Sequence, residues 1–523
     1  MKTPGLIAAT SRGVVPHLSR DHVKSTAAIR WVHIPFETFL DHNPPVPTIQ
    51  TGAHALHRFL GFVPSQHILS FSARDPSDER ELPTNGKDYI STYCIRGVRK
   101  LTPSSWCEYA AACKPDLVIA LSDTPFTPPP HSQKRLTKSI ERSAAWLADV
   151  LAWAVSTTPG DLLSADRSST AVFRYPRNVL VHMAGGVEVH ARRKFANSLI
   201  ESLETREAAR LTPLGRLDDG VAGYVFDLVP LRRGLAAQSA GPSNATPADL
   251  QDEMHQLLRA SLEPLPRTKP RIVNSTGSPH EVLRSIRHVG VDLFDAYWAQ
   301  RAADIGVALD FYFPVPEIHS RTVPAPHDAG CPTPKIRPNG KRDLGHNLYS
   351  AVYAHDHSRV ASSLIDAASH ASLIDAADTS YALPVCPCAA CSPRPSSTRL
   401  HHSVVDVLDS DAGPHPVEPP YTRSYIHHLL HTHEMSSHSL LVMHNLAVLD
   451  AFFAGVRAVL AGADGIAEFD RQVDRFMEVY DEEMAVFEEA AADWLQVDLA
   501  RGKGRLAREK AKQESTLGTA VDV

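Results

Sequence analysis

The sequence predicts an α/β protein built on a (β/α)8 TIM barrel with an inserted or appended zinc-binding subdomain. Three observations point there. Over roughly the first 350 residues, short strand-type runs alternate with helical ones, the order expected of parallel strands joined by helices. One of the strand runs, "DLVIALS", is continuously apolar rather than alternating, as strands buried on both faces are. No G-x-G-x-x-G follows any of them, which leaves a doubly wound nucleotide-binding sheet as the second choice.

Each element has its own signal. "DLVIALS" (Asp116–Ser122) reads as a buried strand. "SQKRLTKSIERSAAWLADVLAWAV" follows with helical periodicity, Leu136, Ile140, Ala144, Leu147 and Leu151 lying near one face. "NVLVHMAGG" (Asn178–Gly186) is a strand ending in glycines, and "VEVHARRKFANSLIESLETREAAR" reads as its helix. "GYVFDLV" (Gly223–Val229) and "PRIVNST" (Pro270–Thr276) are two further strands. The helical "SPHEVLRSIRHV" and then "GVDLFDAYW" complete the series.

Two stretches read as insertions. "LRRGLAAQSAGPSNATPADL" (Leu231–Leu250) is rich in small residues, and 314–381 carries S-L-I-D-A-A twice, at Ser363–Ala368 and Ser372–Ala377. The expected organisation is a barrel core over 1–313, a low-complexity insertion over 314–381, a zinc-binding subdomain with C-terminal helices over 382–500, and a charged, disordered tail over 501–523.

Composition narrows the function. A net charge of −6 places any nucleic-acid contact on a local basic face. Seven cysteines, an odd number in 523 residues, fit a reducing compartment better than a disulfide scaffold. No apolar run approaches the roughly 20 residues that span a bilayer. The basic N-terminus is interrupted by Pro4 and Pro16 and does not read as a targeting signal.

Three of the cysteines, Cys386, Cys388 and Cys391, fall at C-x-C-x2-C spacing. In a reducing compartment such a group reads as metal binding, and tetrahedral zinc needs a fourth ligand. Downstream, "YTRSYIHHLLHTHEMSSHSLLVMHNLAVLDAFFAGVRAVLAG" has a helical pattern and six histidines. "HEMSSH" is not the H-E-x-x-H of zinc proteases: its histidines are five apart and point about 140° from each other on a helix. His427, His428, His431, His433 and His438 read as a partly exposed helix face. His444, inside the apolar "LLVMHNLAVL", is either a satisfied core residue or the missing ligand, and spacing alone does not choose it.

C-x-C-x2-C followed by "YTRSYIHHLL" and "MHN" resembles the zinc-binding region of tRNA-guanine transglycosylases. That resemblance implies that His444 completes a Cys3His site holding one structural zinc. "TSRGVVPHL" (Thr10–Leu18), "PDLVIALSD…KRLTKSIERSAAWL" and "PRIVNSTGSPHEVLRSIRHVGVDLFD" resemble the eukaryotic, fungal-like accessory branch of that family, which serves queuine tRNA-ribosyltransferases. The family fold is a (β/α)8 barrel. Its catalytic members exchange guanine at the tRNA wobble position, with one aspartate attacking the ribose and a second carboxylate as general acid/base. The resemblance aligns Asp295 of "GVDLFD" with the nucleophile and Arg301 with a tRNA-binding arginine.

The partners of that nucleophile are replaced. Where catalytic members have D-S-G-G-F-Q, "ILSFSARDP" puts Phe71 in place of the aspartate. Ala184 stands for a base-binding glutamine, and Phe226–Asp227 for a glycine pair. The resemblance sets Asp123 against the carboxylate of the family's base-binding strand, with a one-residue shift. The resemblance therefore implies no catalytic residue and a retained Asp295, in a subunit that pairs through its zinc region with a catalytic transglycosylase and helps bind tRNA. The alternatives are a stand-alone transglycosylase using Asp295 with Asp123 or Asp227, and a non-enzymatic zinc-containing RNA-binding protein. The expected location is the cytoplasm, with the mitochondrial outer surface as a peripheral site. The apolar residues between Tyr421 and Gly462, read as one helix, exceed one buried face, so part of that surface is expected to meet the partner.

Overall fold

The computed structural model describes residues 2–124, 130–156, 178–239, 247–316, 334–361, 386–391 and 420–500. The chain divides into two compact units, one of residues up to Pro16 with His22–Trp298, the other of His17–Asp21 with the chain from Ala299 onward.

The first unit is the expected barrel. In chain order its strands are β1 (Gly5–Ala9), β2 (Trp31–Pro35), β3 (Ile68–Ser72), a hairpin of β4 (Ile90–Cys94) and β5 (Gly97–Leu101), then β6 (Leu117–Ile119), β7 (Asn178–His182), β8 (Val221–Asp227), β9 (Arg271–Asn274) and β10 (Leu293–Asp295). All but the hairpin close into one parallel barrel, which β1 and β10 seal through Ile7 opposite Asp295. One layer of the lumen is filled by Ile7, Trp31, Leu117, Ile119, Leu180, Val225, Ile272 and Leu293. Side chains alternate along a strand, so residues two positions further on share the lumen face nearer the C-terminal ends. That rule puts His33, His182, Asp227, Asn274 and Asp295 in a polar layer above the apolar one.

The helices match the sequence in kind, with differences in extent. Gln133–Ser156 is a 24-residue helix, as its periodicity predicts. The helix read after β7 is two, Val189–Ile200 and Thr205–Leu211. Much of the small-residue stretch after Leu231 is not a loop insertion. Leu228–Ser239 is helical, with Leu231, Gly234 and Leu235 buried, because its apolar spacing outweighs its loop-like composition.

In the second unit, β11 (Val307–Leu309) pairs antiparallel with β12 (Gly345–Asn347). Here the low-complexity reading of 314–381 is corrected. Within 334–361 lie β12 and the fully buried His346, so this part belongs to the unit's core. The repeated S-L-I-D-A-A and the tail 501–523 lie outside the described residues.

The helix read from Tyr421 to Gly462 is also corrected. It is two helices, Arg423–His431 and Met435–Leu460, parted where His433 takes φ 60°. Met435–Leu460 is long and apolar enough to cross a membrane, contrary to the sequence expectation, but 72% of its apolar window is buried within the protein. Phe452 and Phe453 join Phe311, Phe313, Phe469, Phe476 and Tyr480 in an aromatic core. Of the apolar residues on which that expectation rests, Ile426, Leu429, Leu430, Leu440, Leu441, Val442, Leu446, Val448, Leu449, Phe452 and Phe453 are buried inside this chain, and Met435 is exposed.

Candidate metal centre and barrel mouth

The turn 386–391 and the middle of Met435–Leu460 bring four donors together. Nδ1 of His444 lies 3.6, 3.5 and 3.5 Å from Sγ of Cys386, Cys388 and Cys391. All four ligand atoms lie within 4.8 Å of one another, and three of the residues are buried. In a tetrahedron with metal–sulfur bonds of about 2.3 Å and metal–nitrogen bonds of about 2.05 Å, the S···N edge is about 3.6 Å. The cluster is therefore spaced to hold a tetrahedral metal ion.

The surroundings fix the donors. Nε2 of His444 donates to Leu309 O at 2.8 Å, which leaves Nδ1 free of a proton and aimed at the sulfurs. The Cys391 N–H points at Cys388 Sγ, 3.3 Å away, an arrangement that stabilises a thiolate. Tyr421 N–H donates to Ala390 O and ties the turn to the chain entering Arg423–His431. Hydrogen bonds from Cys386 and Cys388 pull the Cys391 thiol well below its usual range. Burial opposes a charge on His444, but the facing sulfurs of Cys391 and Cys386 outweigh it and raise the imidazole. Burial pushes the Cys388 thiol the other way, up, so the three sulfurs and the imidazole form one interacting donor set. Of the remaining helix-face histidines, His427 and His431 lie with ring centroids 4.1 Å apart and planes tilted by 42°, outside this cluster.

The barrel mouth holds the other candidate residues. Asp295, at the end of β10, is 3% exposed. Its Oδ2 accepts from Ser275 N–H at 2.7 Å, while Oδ1 is buried without a hydrogen-bond partner. Burial pushes its carboxyl up to about 7, against the pull of the Ser275 and Thr276 amides, and the negative charge of Asp227 adds to the rise. Burial thus works against the ionised form that a nucleophile needs.

Asp227, across the lumen layer on β8, accepts from His182 Nε2 at 2.8 Å and from Asn274 Nδ2 at 2.9 Å. Burial would raise it, but His182 and Asn274 hold it below the usual carboxylate range. On β2, His33 faces Ser70 and Ser72 at 3.1 and 2.9 Å. Ser72 gives its proton to Arg74 O, so Nε2 of His33 is the donor to Ser72. Burial pushes His33 down to about 4, so it stays neutral.

Asp123 is not part of this layer's chemistry. Its fully buried carboxylate accepts a bidentate pair from Arg135 at 2.8 and 2.8 Å, a third bond from Arg142 at 3.1 Å and a fourth from Asn85 at 2.8 Å. Phe71 is fully buried on the opposite face of β3 from Ser70 and Ser72, stacked on Trp106 at 4.6 Å with ring planes 10° apart. Ala184 and Phe226 line a cavity of about 280 Å3 at the ends of β7 and β8. Arg301 lies on Tyr297–Asp304, more than half exposed, and pairs with Asp304.

Sequence reasoning brought forward Asp295, Asp227 and the metal donors, and missed His33, His182 and Asn274. The signal for those three was their position, two residues beyond Trp31, Leu180 and Ile272 of the apolar layer.

The chain matches the family described as TGT, queuine tRNA-ribosyltransferase, over residues 1–210, 243–407 and 411–481. It is 25% identical over 486 residues to the queuine tRNA-ribosyltransferase accessory subunit 2 of Schizosaccharomyces pombe, an alignment covering 92% of this chain and 79% of that protein. It is 24% identical over 482 residues to the Xenopus tropicalis protein of the same name, covering 90% of this chain and 93% of the other. For the Danio rerio protein of that name the identity is 21% over 484 residues, covering 90% and 92%. The family match runs through the barrel, through Asp295 and through all four metal donors, and the chain belongs to the queuine tRNA-ribosyltransferase family.

Proposed function

We propose that this chain is the accessory, non-catalytic subunit of a heterodimeric queuine tRNA-ribosyltransferase. In that role it supports exchange of guanine for queuine at the wobble position of tRNAs with GUN anticodons. The observation that carries the reading is the state of the carboxylates at the barrel mouth. Asp295 is buried and held towards its protonated form, with Oδ1 lacking any donor among the described residues, and Asp123 is saturated by two arginines and an asparagine. Asp227 already serves His182 and Asn274. A nucleophile of this kind needs an ionised carboxylate and a separate group free to move the proton. The names of the similar proteins point the same way.

The Cys3His donors suit one structural zinc, whose role is to pin the turn 386–391 to Met435–Leu460. With exposed Arg301 as a phosphate contact, tRNA is the shared substrate surface, and the cytoplasm is the working location.

One observation favours a stand-alone transglycosylase: Asp227 is lowered and Asp295 raised, and such divergence marks acid/base pairs in enzymes. A base-exchange assay separates the two readings. The purified chain alone is expected to exchange no guanine for labelled queuine. Mixed with a catalytic subunit it should support exchange, and Asp295→Asn in this chain should leave that rate unchanged. Turnover by this chain alone, abolished by Asp295→Asn, would overturn the accessory reading.

A further inference from the structure

The cavity at the ends of β7 and β8 is mostly apolar, with Met183, Phe226, Val229 and Leu231 in its wall. Its polar lining is unusual in charge. Arg192, from the first turn of Val189–Ile200, reaches this wall although the residue is only 2% exposed. Its Nε donates to Gly186 O at 2.6 Å and its Nη1 to Ser261 Oγ at 3.1 Å, both neutral acceptors. No carboxylate among the described residues pairs with it. Burial alone acts on this guanidinium, pushing it down to about 9, with no opposing charge.

The other charged groups do not compensate. Arg233, also on the wall, is a cation paired with Glu81 at 3.1 Å and adds no acid beside Arg192. Asp227 is the acidic side chain of the lining, and it is taken by His182 and Asn274. Nδ1 of His182 is buried with no hydrogen-bond partner. Gly185, at φ +121°, lets the backbone lie against Arg192, where a Cβ would sit 2.7 Å from the Arg192 backbone. A guanidinium used only to brace that turn would need no cavity beside it. A buried cation without a counter-charge is destabilising until an anion joins it.

We infer that this cavity binds a small organic anion, its carboxylate or phosphate group held by Arg192 and its apolar body against Met183, Phe226 and Leu231. The ligand is distinguished from an uncharged nucleobase by its charge, and the inference is independent of whether the chain is an accessory subunit. Arginine suits both head groups, because its planar fork pairs with either.

Isothermal titration of the full chain with benzoate and with phenyl phosphate tests it, with uncharged benzamide as the comparison. Both anions should bind with Kd at or below about 1 mM, and benzamide at least about tenfold more weakly. Arg192→Gln should weaken anion binding at least about tenfold, since it removes the charge from a buried hydrogen bond. Ala184→Leu leaves Arg192 in place and fills the wall, and should weaken both anions and benzamide alike. If Arg192→Gln does not fold, Ala184→Leu and the benzamide comparison decide. Benzamide binding as tightly as benzoate, parental anion affinity in both variants, or no binding of either anion up to about 10 mM would each overturn the inference. Saturation by benzoate but not phenyl phosphate, or the reverse, still supports an anion site and identifies its head group.

Discussion

His444 and Asn445, adjacent in sequence, hold the same residue of β11, Leu309, one at its carbonyl and one at its N–H. His444 Nε2 donates to Leu309 O at 2.8 Å, and Asn445 Oδ1 accepts from Leu309 N–H at 2.9 Å. Asn445 Nδ2 donates in turn to Ala299 O and Val307 O, at 3.1 and 3.0 Å. The metal ligand is thus oriented by a strand that its neighbour fastens down. Asn445→Ala strands three buried backbone groups, each costing about 1–3 kcal/mol. We expect a loss of roughly 3–5 kcal/mol in urea unfolding and a faster release of metal to a chelator. An unchanged release rate would show that the strand is held in place without it.

One zinc per chain is the expected metal content. Cys388→Ser should abolish it, because it removes one of four donors at a site only 4% exposed, where water cannot easily take its place. Structural zinc contributes about 10–16 kcal/mol in small peptides, so its removal should expose Met435–Leu460 to proteolysis. Elemental analysis that finds full metal occupancy in Cys388→Ser would reject the ligand set.

The raised carboxyl of Asp295 has a signed effect on stability. Below its ordinary value near 3.8 the folded and unfolded chains both hold the proton. Between there and about 7 the unfolded chain releases it and the folded chain does not, so stability falls as pH rises through that window. Three pH units amount to about 4 kcal/mol. Asp295→Asn removes the effect, so it should gain stability relative to the parent as pH goes from 5 to 8 in paired urea titrations. A difference between the two proteins that does not change with pH would contradict the burial of this group as the cause.

Helix Met435–Leu460 is expected to tolerate almost nothing at its buried positions. A Cβ at Gly455 would collide with the Phe313 carbonyl oxygen, a backbone atom that cannot swing aside. Gly455→Ala should lower the yield of soluble protein, as should Leu441→Asp at a fully buried site. Both variants should fail in the isolated chain. If Leu441→Asp instead folds normally and loses only co-purification with a catalytic subunit, the helix is an interface after all.

The barrel was legible because its strands are short apolar runs that water cannot share, and such runs have few other uses. The metal donors were legible because three thiols at tight spacing have few innocent explanations. His33, His182 and Asn274 were not, since each resembles an ordinary polar residue at a strand end. They emerge once the register shows which lumen residue lies two positions earlier. The break at His433 was hidden for a different reason: no glycine or proline marks the left-handed turn, and helix-favouring apolar runs lie on both sides of it. Arg423 was hidden by its type. An arginine is seldom fully buried, yet this one bridges Asp356 at 3.3 Å and donates to Val360 O at 3.1 Å.

The stack of Phe71 on Trp106 also limits what position 71 can hold. Phe71 lies between Trp106 and Phe36, whose ring centroid is 4.8 Å away, on the face of β3 turned from the lumen. An aspartate here would be a carboxylate wedged between aromatic rings, without a path to the barrel mouth. To serve as a proton carrier it would need the strand to shift register or the aromatic layer to be rebuilt. A lone Phe71→Asp change therefore costs stability and supplies no acid or base to the mouth.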